Sequence, residues 1–333
     1  MNFFTNKTIM RSITSNDTQM KIVLLGDSIT QLSFSASLSG WGAHIADHYQ
    51  RRADVYNRGF SGYNTSWFLQ HVETDEGHRH VFGVAGEHIR DECGVLTQTD
   101  VKLVTIFFGA NDASDPSLNS RHYVSLPQFR SNLRKIVWLC YKNYGKRVHI
   151  ILISPPPVHH SSRLRYQIEK FGKAATGKLE RNMKLSETYA DAVSSVANDM
   201  NIQFLNLWNV MQNSIDESNG QSDKEEKKEQ EQKNGDQESW GVFLIDGLHF
   251  SREGNLLVGK LVVEKIETSF PDIAVSLCEF TSKGISSNRS RNSLKHFGPW
   301  HDEIDYKDPN SSFESKTKGL KKYVVDNNDL VVS

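Results

Sequence analysis

A chain of 333 residues with 37% hydrophobic and 24% charged side chains can bury a substantial core, as one large domain or two modest ones. Its formal net charge of -1 gives no electrostatic reason to expect nucleic acid or an anionic membrane as a partner, and no apolar run approaches the length of a membrane span. Cys93, Cys140 and Cys278 are scattered without ligand-like spacing, which disfavours a disulfide framework or a structural zinc and fits a reducing, cytoplasmic compartment.

Residues 1–19 read as a flexible terminus. They lack the apolar run of a secretory signal; Lys7 and Arg11 with no acid before Asp17 leave a transit peptide open, and a frayed end is the preferred reading. Order begins with Lys21-Ile22-Val23-Leu24-Leu25, a short apolar run that breaks at Gly26-Asp27-Ser28 and so predicts a buried strand delivering a turn. Trp41 to Ala53 carries Trp41, Ile45, Ala46 and Tyr49 at helical spacing. Asp54 to Gly59 predicts a second strand ending at Gly59-Phe60-Ser61-Gly62, and Tyr63 to Val72 another helix. This βαβα pattern with short connections is that of a parallel, doubly wound α/β sheet. Residues 73–100 show no clear periodicity and read as a long loop or insertion. Val101 to Phe108 is nearly all apolar, which predicts a central strand, and it ends in Gly109-Ala110-Asn111-Asp112.

Ser125 is positioned to cap a helix over 126–144, and Gly145 to stop it. Arg147 to Ser154 predicts the next strand, ended by Pro155-Pro156-Pro157. A polar, basic segment follows. Leu185, Tyr189, Val193, Val196 and Met200 then mark one helix face, and Ile202 to Leu207 a fifth strand. Residues 212–238 have no apolar residue after Ile215 and read as a disordered polar insertion. Phe243 to Phe250 forms a loop, and Ser251 caps a helix over 252–268. Residues 20–270 thus make one domain. In the extension 271–333 packing signals are sparse, except around Phe297-Gly298-Pro299-Trp300, where a tail docks near 297–309.

Reactive residue types fall in loops expected along one edge of the sheet: Ser28, Gly62, Asn111, then Asp246 with His249. Ligands of open α/β sheets sit beyond the carboxyl ends of the strands. A serine hydroxyl is a weak nucleophile until a neighbouring base takes its proton, and histidine is that base near neutral pH. Asp246, three residues before His249, can hold the imidazole tautomer. The Ser28 and Gly62 amides and the Asn111 side chain could supply oxyanion donors, with Gly62 letting the backbone approach because it lacks a Cβ. Taken singly, each has a bland reading as a cap, a turn former or a satisfied histidine; their order along the chain is what carries weight. Asp27 and Asp112 are expected in loop hydrogen bonds rather than proton transfer. His71, His78, His80 and His88 read as residues of a solvated loop, not a metal site.

The blocks Gly26-Asp27-Ser28, Asn57-Arg58-Gly59-Phe60-Ser61-Gly62, Gly109-Ala110-Asn111-Asp112 and Asp246-Gly247-Leu248-His249-Phe250 resemble the four blocks of the GDSL or SGNH hydrolases. They are most similar to the isoamyl acetate-hydrolysing esterase group, over roughly residues 20–210 and 240–270. The resemblance implies a flavodoxin-like three-layer αβα sandwich around a five-stranded parallel sheet, with no metal or organic cofactor. It implies Ser28, Asp246 and His249 as the catalytic residues and Ser28, Gly62 and Asn111 as the oxyanion hole. The expected activity is hydrolysis of small acetate-type esters through an acyl-enzyme. A lysophospholipase, a thioesterase, a carbohydrate O-deacetylase and a catalytically silent binding protein stay open, as does a homo-oligomer.

Overall fold

A computed structural model describes residues 19–86, 88–90, 93–94, 96–213, 239–275, 280–281 and 284–285. The polar insertion, apart from residues 212–213, and the docking expected near 297–309 lie outside the described residues, as do residues 1–18. In chain order the strands are β1 (Met20–Gly26), β2 (Ala53–Gly59), β3 (His88–Arg90), β4 (Leu96–Thr99), β5 (Val101–Phe107), β6 (His149–Ile153), β7 (Gln203–Leu205), β8 (Phe280–Thr281) and β9 (Gly284–Ile285). The helices are α1 (Ser28–Gln31), α2 (Trp41–His48), α3 (Thr65–Glu73), α4 (Asp75–Phe82), α5 (Leu126–Tyr144), α6 (His160–Phe171), α7 (Met183–Met200), α8 (Leu207–Asn213) and α9 (Arg252–Ser269).

Five strands form one sheet in the order β2-β1-β5-β6-β7, and every neighbouring pair in it is parallel. β5 is the middle strand, as its unbroken apolar sequence predicts. Gly26 aligns with Gly59 on one side and with Phe107 on the other, so the carboxyl ends of β2, β1 and β5 finish level. Chain progression reverses between β1 and β5. That switch point opens a crevice beyond the strand ends, and Ser28 and Asn111 follow the two strands that border it.

Strand alternation sends one set of side chains to each face. Ile22, Leu24, Leu103, Phe107, Ile151 and Ile153 pack with Trp41 and Ile45 of α2 and Val258, Val262 and Ile266 of α9. Val23, Leu25, Val104, Ile106, Ile150 and Leu152 pack on the other face with α3, α4, α5 and α7, through residues such as Phe68, Phe82, Phe129 and Tyr189. The result is a three-layer αβα sandwich. Each fully buried side chain of this size contributes about 1.5–3 kcal/mol, so both covered faces are needed to hold the strand ends in place.

Local signals act mostly as read. Ser251 Oγ accepts from the Gly254 amide at 3.1 Å and starts α9. α5 begins after Ser125, but without a side-chain cap, and Gly145 ends it at φ +90°. The stretch 73–100 corrects the expectation of a long loop. It holds α4, whose first turn is capped by Thr74 and carries Asp75 and Glu76, and the antiparallel β3–β4 hairpin. Only Val81 and Phe82 of α4 are buried apolar residues. With so few apolar positions, neither element leaves a readable period.

Candidate active site

The first loop is fixed by a closed space. A Cβ on Gly26 would lie 2.0 Å from Thr30 Oγ1 and 2.5 Å from the Phe107 carbonyl, so only glycine lets β1 turn into α1 there. Asp27 caps α1 by accepting from the Ile29 amide at 2.9 Å. Ser28 is the first residue of that helix and is 8% exposed.

The last loop comes to meet it. A bridge between Leu244 and Phe250, with the Ile245 amide donating to the His249 carbonyl at 2.8 Å, folds residues 244–250 into a tight clip. Inside the clip Asp246 Oδ1 accepts from the amides of Leu248 and His249 at 3.0 and 2.8 Å. Asp246 Oδ2 lies 2.9 Å from His249 Nδ1, and His249 Nε2 lies 2.8 Å from Ser28 Oγ. Burial pushes the Asp246 carboxyl up, but its hydrogen bonds to His249 and the charges of His249 and Arg163 outweigh that and hold it far below the usual carboxylate range. Asp246 is therefore ionised at neutral pH and faces the nitrogen of His249 remote from Ser28.

Asn111 is 4% exposed, and its Nδ2 donates to the Tyr63 carbonyl at 2.9 Å. This bond ties the loop after β5 to the loop after β2, where Gly62 sits. Gly62 has φ +80° and nothing within 4 Å of where a Cβ would be. The turn's left-handed backbone is a reason for glycine in addition to the close approach expected of it.

Three site residues have no counterpart in the sequence reading. Arg163 Nη1 donates to Asp246 Oδ2 at 3.2 Å, and its Nη2 to Glu180 Oε1 at 2.9 Å. Arg181 Nη1 donates to the same Glu180 oxygen at 2.6 Å, and its Nη2 to Asn111 Oδ1 at 2.8 Å. Burial alone would raise the Glu180 carboxyl, yet the Arg163 hydrogen bond and the two guanidinium charges leave it below its ordinary value. All three lie in the polar segment before α7, where a buried ion cannot be told by residue type from a solvated one. The adjacent Glu180-Arg181 pair was the available signal. Among the described residues no group of three or more His, Cys, Asp or Glu is disposed to hold a metal, and His71 and His80 pack against Phe60 instead.

The family model for GDSL-like lipase/acylhydrolase matches residues 22–262. The chain belongs to that family. A GDSL esterase/lipase of Arabidopsis thaliana is 36% identical over 298 residues, covering 88% of this chain and 98% of its own. The isoamyl acetate-hydrolyzing esterase 1 homolog of Mus musculus is 34% identical over 235 residues, covering 71% of this chain and 76% of its own. A solved lipase/acylhydrolase from Enterococcus faecalis shares 23% identity, covers 74% of this chain and 95% of its own, and superposes with a TM-score of 0.46.

In this GDSL-family hydrolase the acids beside the site are held in loop hydrogen bonds. Asp112 Oδ1 accepts from the Thr65 amide at 3.0 Å and from the Thr65 hydroxyl, while its Oδ2 is buried without a hydrogen-bond partner. Burial pushes Asp112 up to about 7 and Asp27 up to about 6; Thr65 opposes the shift in Asp112, and the Asp27 charge adds to it. A carboxyl raised above its unfolded value of 3.8 stabilises the fold below that value and loses the contribution as pH rises through the folded value. Asp112→Asn keeps the acceptor for Thr65 and cannot ionise. The melting temperature of this variant relative to wild type is expected to rise between pH 5 and pH 8, tracking roughly 2–4 kcal/mol of linked stability. A pH-independent difference would contradict it.

Proposed function

We propose that the protein is a serine esterase that hydrolyses small carboxylic esters of the acetate type through an acyl-enzyme on Ser28. The observation that carries this reading is the unbroken line from Ser28 Oγ to His249 Nε2 at 2.8 Å and from His249 Nδ1 to Asp246 Oδ2 at 2.9 Å. In that arrangement Nδ1–H donates to the carboxylate, which leaves Nε2 as the acceptor for the serine proton. Oγ attacks the ester carbonyl as the proton moves to Nε2. The carbonyl oxygen becomes an oxyanion, stabilised by the Ser28 amide, the Gly62 amide and the second N–H of Asn111 Nδ2. The Ser28 amide suits this role because a first-turn N–H has no acceptor within its own helix.

Collapse of the intermediate breaks the bond to the alcohol, which leaves with the proton from Nε2. Water then gives a proton to the same nitrogen and attacks the acyl-enzyme, and Ser28 departs with that proton as the acid is released. Acetate is favoured as the acyl group because the mouse relative is named for isoamyl acetate. The test is turnover of p-nitrophenyl acetate, with the butyrate and octanoate esters beside it. Ser28→Ala is expected to lose at least 10³-fold in kcat with an unchanged melting temperature, and the rate to fall with acyl length. Equal turnover by Ser28→Ala would end the assignment.

A further inference from the structure

Behind the site lies a buried ion network that the mechanism above leaves unused. Arg181 is 6% exposed, and each of its guanidinium nitrogens has an acceptor. Nε donates to the Ala110 carbonyl at 2.9 Å, Nη1 to Glu180 and Nη2 to Asn111 Oδ1 at 2.8 Å. Glu180 Oε1 also receives Arg163, which reaches Asp246 at 3.2 Å. A single carboxylate oxygen therefore links the guanidinium on Asn111 to the guanidinium on Asp246.

A carboxamide has two orientations that differ only by exchange of oxygen and nitrogen. A guanidinium has donors and no acceptor, so it tolerates only the Asn111 oxygen in front of it. With Oδ1 held by Arg181, Nδ2 points the other way, where the Tyr63 carbonyl takes one of its hydrogens. The remaining hydrogen is the one needed at the oxyanion. An ammonium can replace the planar fork only in part, because the fork meets a backbone carbonyl, a carboxylate and an amide oxygen together.

We propose that Arg181 is the positioning residue for Asn111, fixing its amide so that one N–H is ready for the oxyanion, and that Glu180 anchors Arg181. The proposal rests on the reading of Ser28 as nucleophile and Asn111 as oxyanion donor. An oxyanion develops only in the transition state, so loss of its donor lowers kcat and leaves KM alone. Removing such a donor outright costs about 10²–10³-fold in kcat, and losing its orientation should cost part of that.

The experiment is a double-mutant cycle on p-nitrophenyl acetate, with melting temperatures for every variant. Arg181→Met is expected to lower kcat about 10–100-fold with KM within about twofold, and Arg181→Lys to recover part of the loss. Because Arg181 acts through Asn111, adding Arg181→Met to Asn111→Ala should change kcat by no more than about twofold beyond Asn111→Ala alone. Losses that multiply in the double variant, or wild-type kcat in Arg181→Met, overturn the proposal. If Arg181→Met fails to fold, Arg181→Lys takes its place in the cycle under the same criterion. Ser28→Ala is measured in parallel: wild-type turnover there removes the underlying reading and this one with it, whereas an inactive Ser28→Ala puts only the role of Arg181 at stake.

Discussion

Asp246→Asn is expected to lower kcat by roughly 10³–10⁴-fold while the protein stays folded. The size follows from which way the asparagine must face. The amides of Leu248 and His249, 3.0 and 2.8 Å from Oδ1, both need an acceptor, so the new oxygen takes that position and the new NH₂ takes the place of Oδ2. There it meets His249 Nδ1, which stood 2.9 Å from the carboxylate, and Arg163, which stood 3.2 Å away. A donor opposite Nδ1 turns that nitrogen into the acceptor and moves the ring hydrogen to Nε2. The nitrogen facing Ser28 then carries a hydrogen when it should receive one. Steady-state kinetics on p-nitrophenyl acetate checks this; a loss below tenfold would mean that the tautomer of His249 is not set by Asp246.

The largest expected effect on stability is at Trp41. Its side chain is fully buried, with a ring centroid 6.1 Å from that of Phe107, and its Nε1 donates to the Ile29 carbonyl at 3.1 Å. The Trp41 amide donates to Asn255 Oδ1 at 3.1 Å, which ties the start of α2 to the start of α9. Trp41→Ala opens a cavity under the sheet edge and leaves the Ile29 carbonyl without its indole partner. The expected cost is about 3–5 kcal/mol, a fall in melting temperature of roughly 10 °C. Trp41→Phe keeps most of the packing and loses only the hydrogen bond, so it should cost clearly less. Ile29 adjoins Ser28, and kcat is therefore expected to drop in Trp41→Ala even at temperatures where the variant is folded. Thermal melts of both variants decide; equal costs would place the stabilisation in the hydrogen bond and not in the ring.

Much of this architecture is legible in the residues themselves. β1 and β5 are short, apolar and closed by glycine, which marks them as inner strands of a parallel sheet and marks the loops behind them as the place for chemistry. Ser28, Asn111, Asp246 and His249 lie just beyond apolar stretches, and their order along the chain, more than any local pattern, singles them out. What stayed hidden has physical causes. Val81 and Phe82 are too few to give α4 a period. Arg163, Glu180 and Arg181 are ordinary surface residue types, and only the tertiary fold takes them out of water and matches them to one another. The positive φ of Gly62 was hidden as well, because a glycine in a sequence does not say whether its backbone is left-handed.

The pairing of Arg163 and Arg181 with Glu180 and Asp246 also bears on how a reaction cycle would close. Two cations and two anions cancel, so both guanidiniums behind Ser28 are already committed. A carboxylic acid formed at Ser28 would ionise in water and find no spare positive charge in that cluster to retain it. Departure of such an anion is therefore not opposed by either guanidinium.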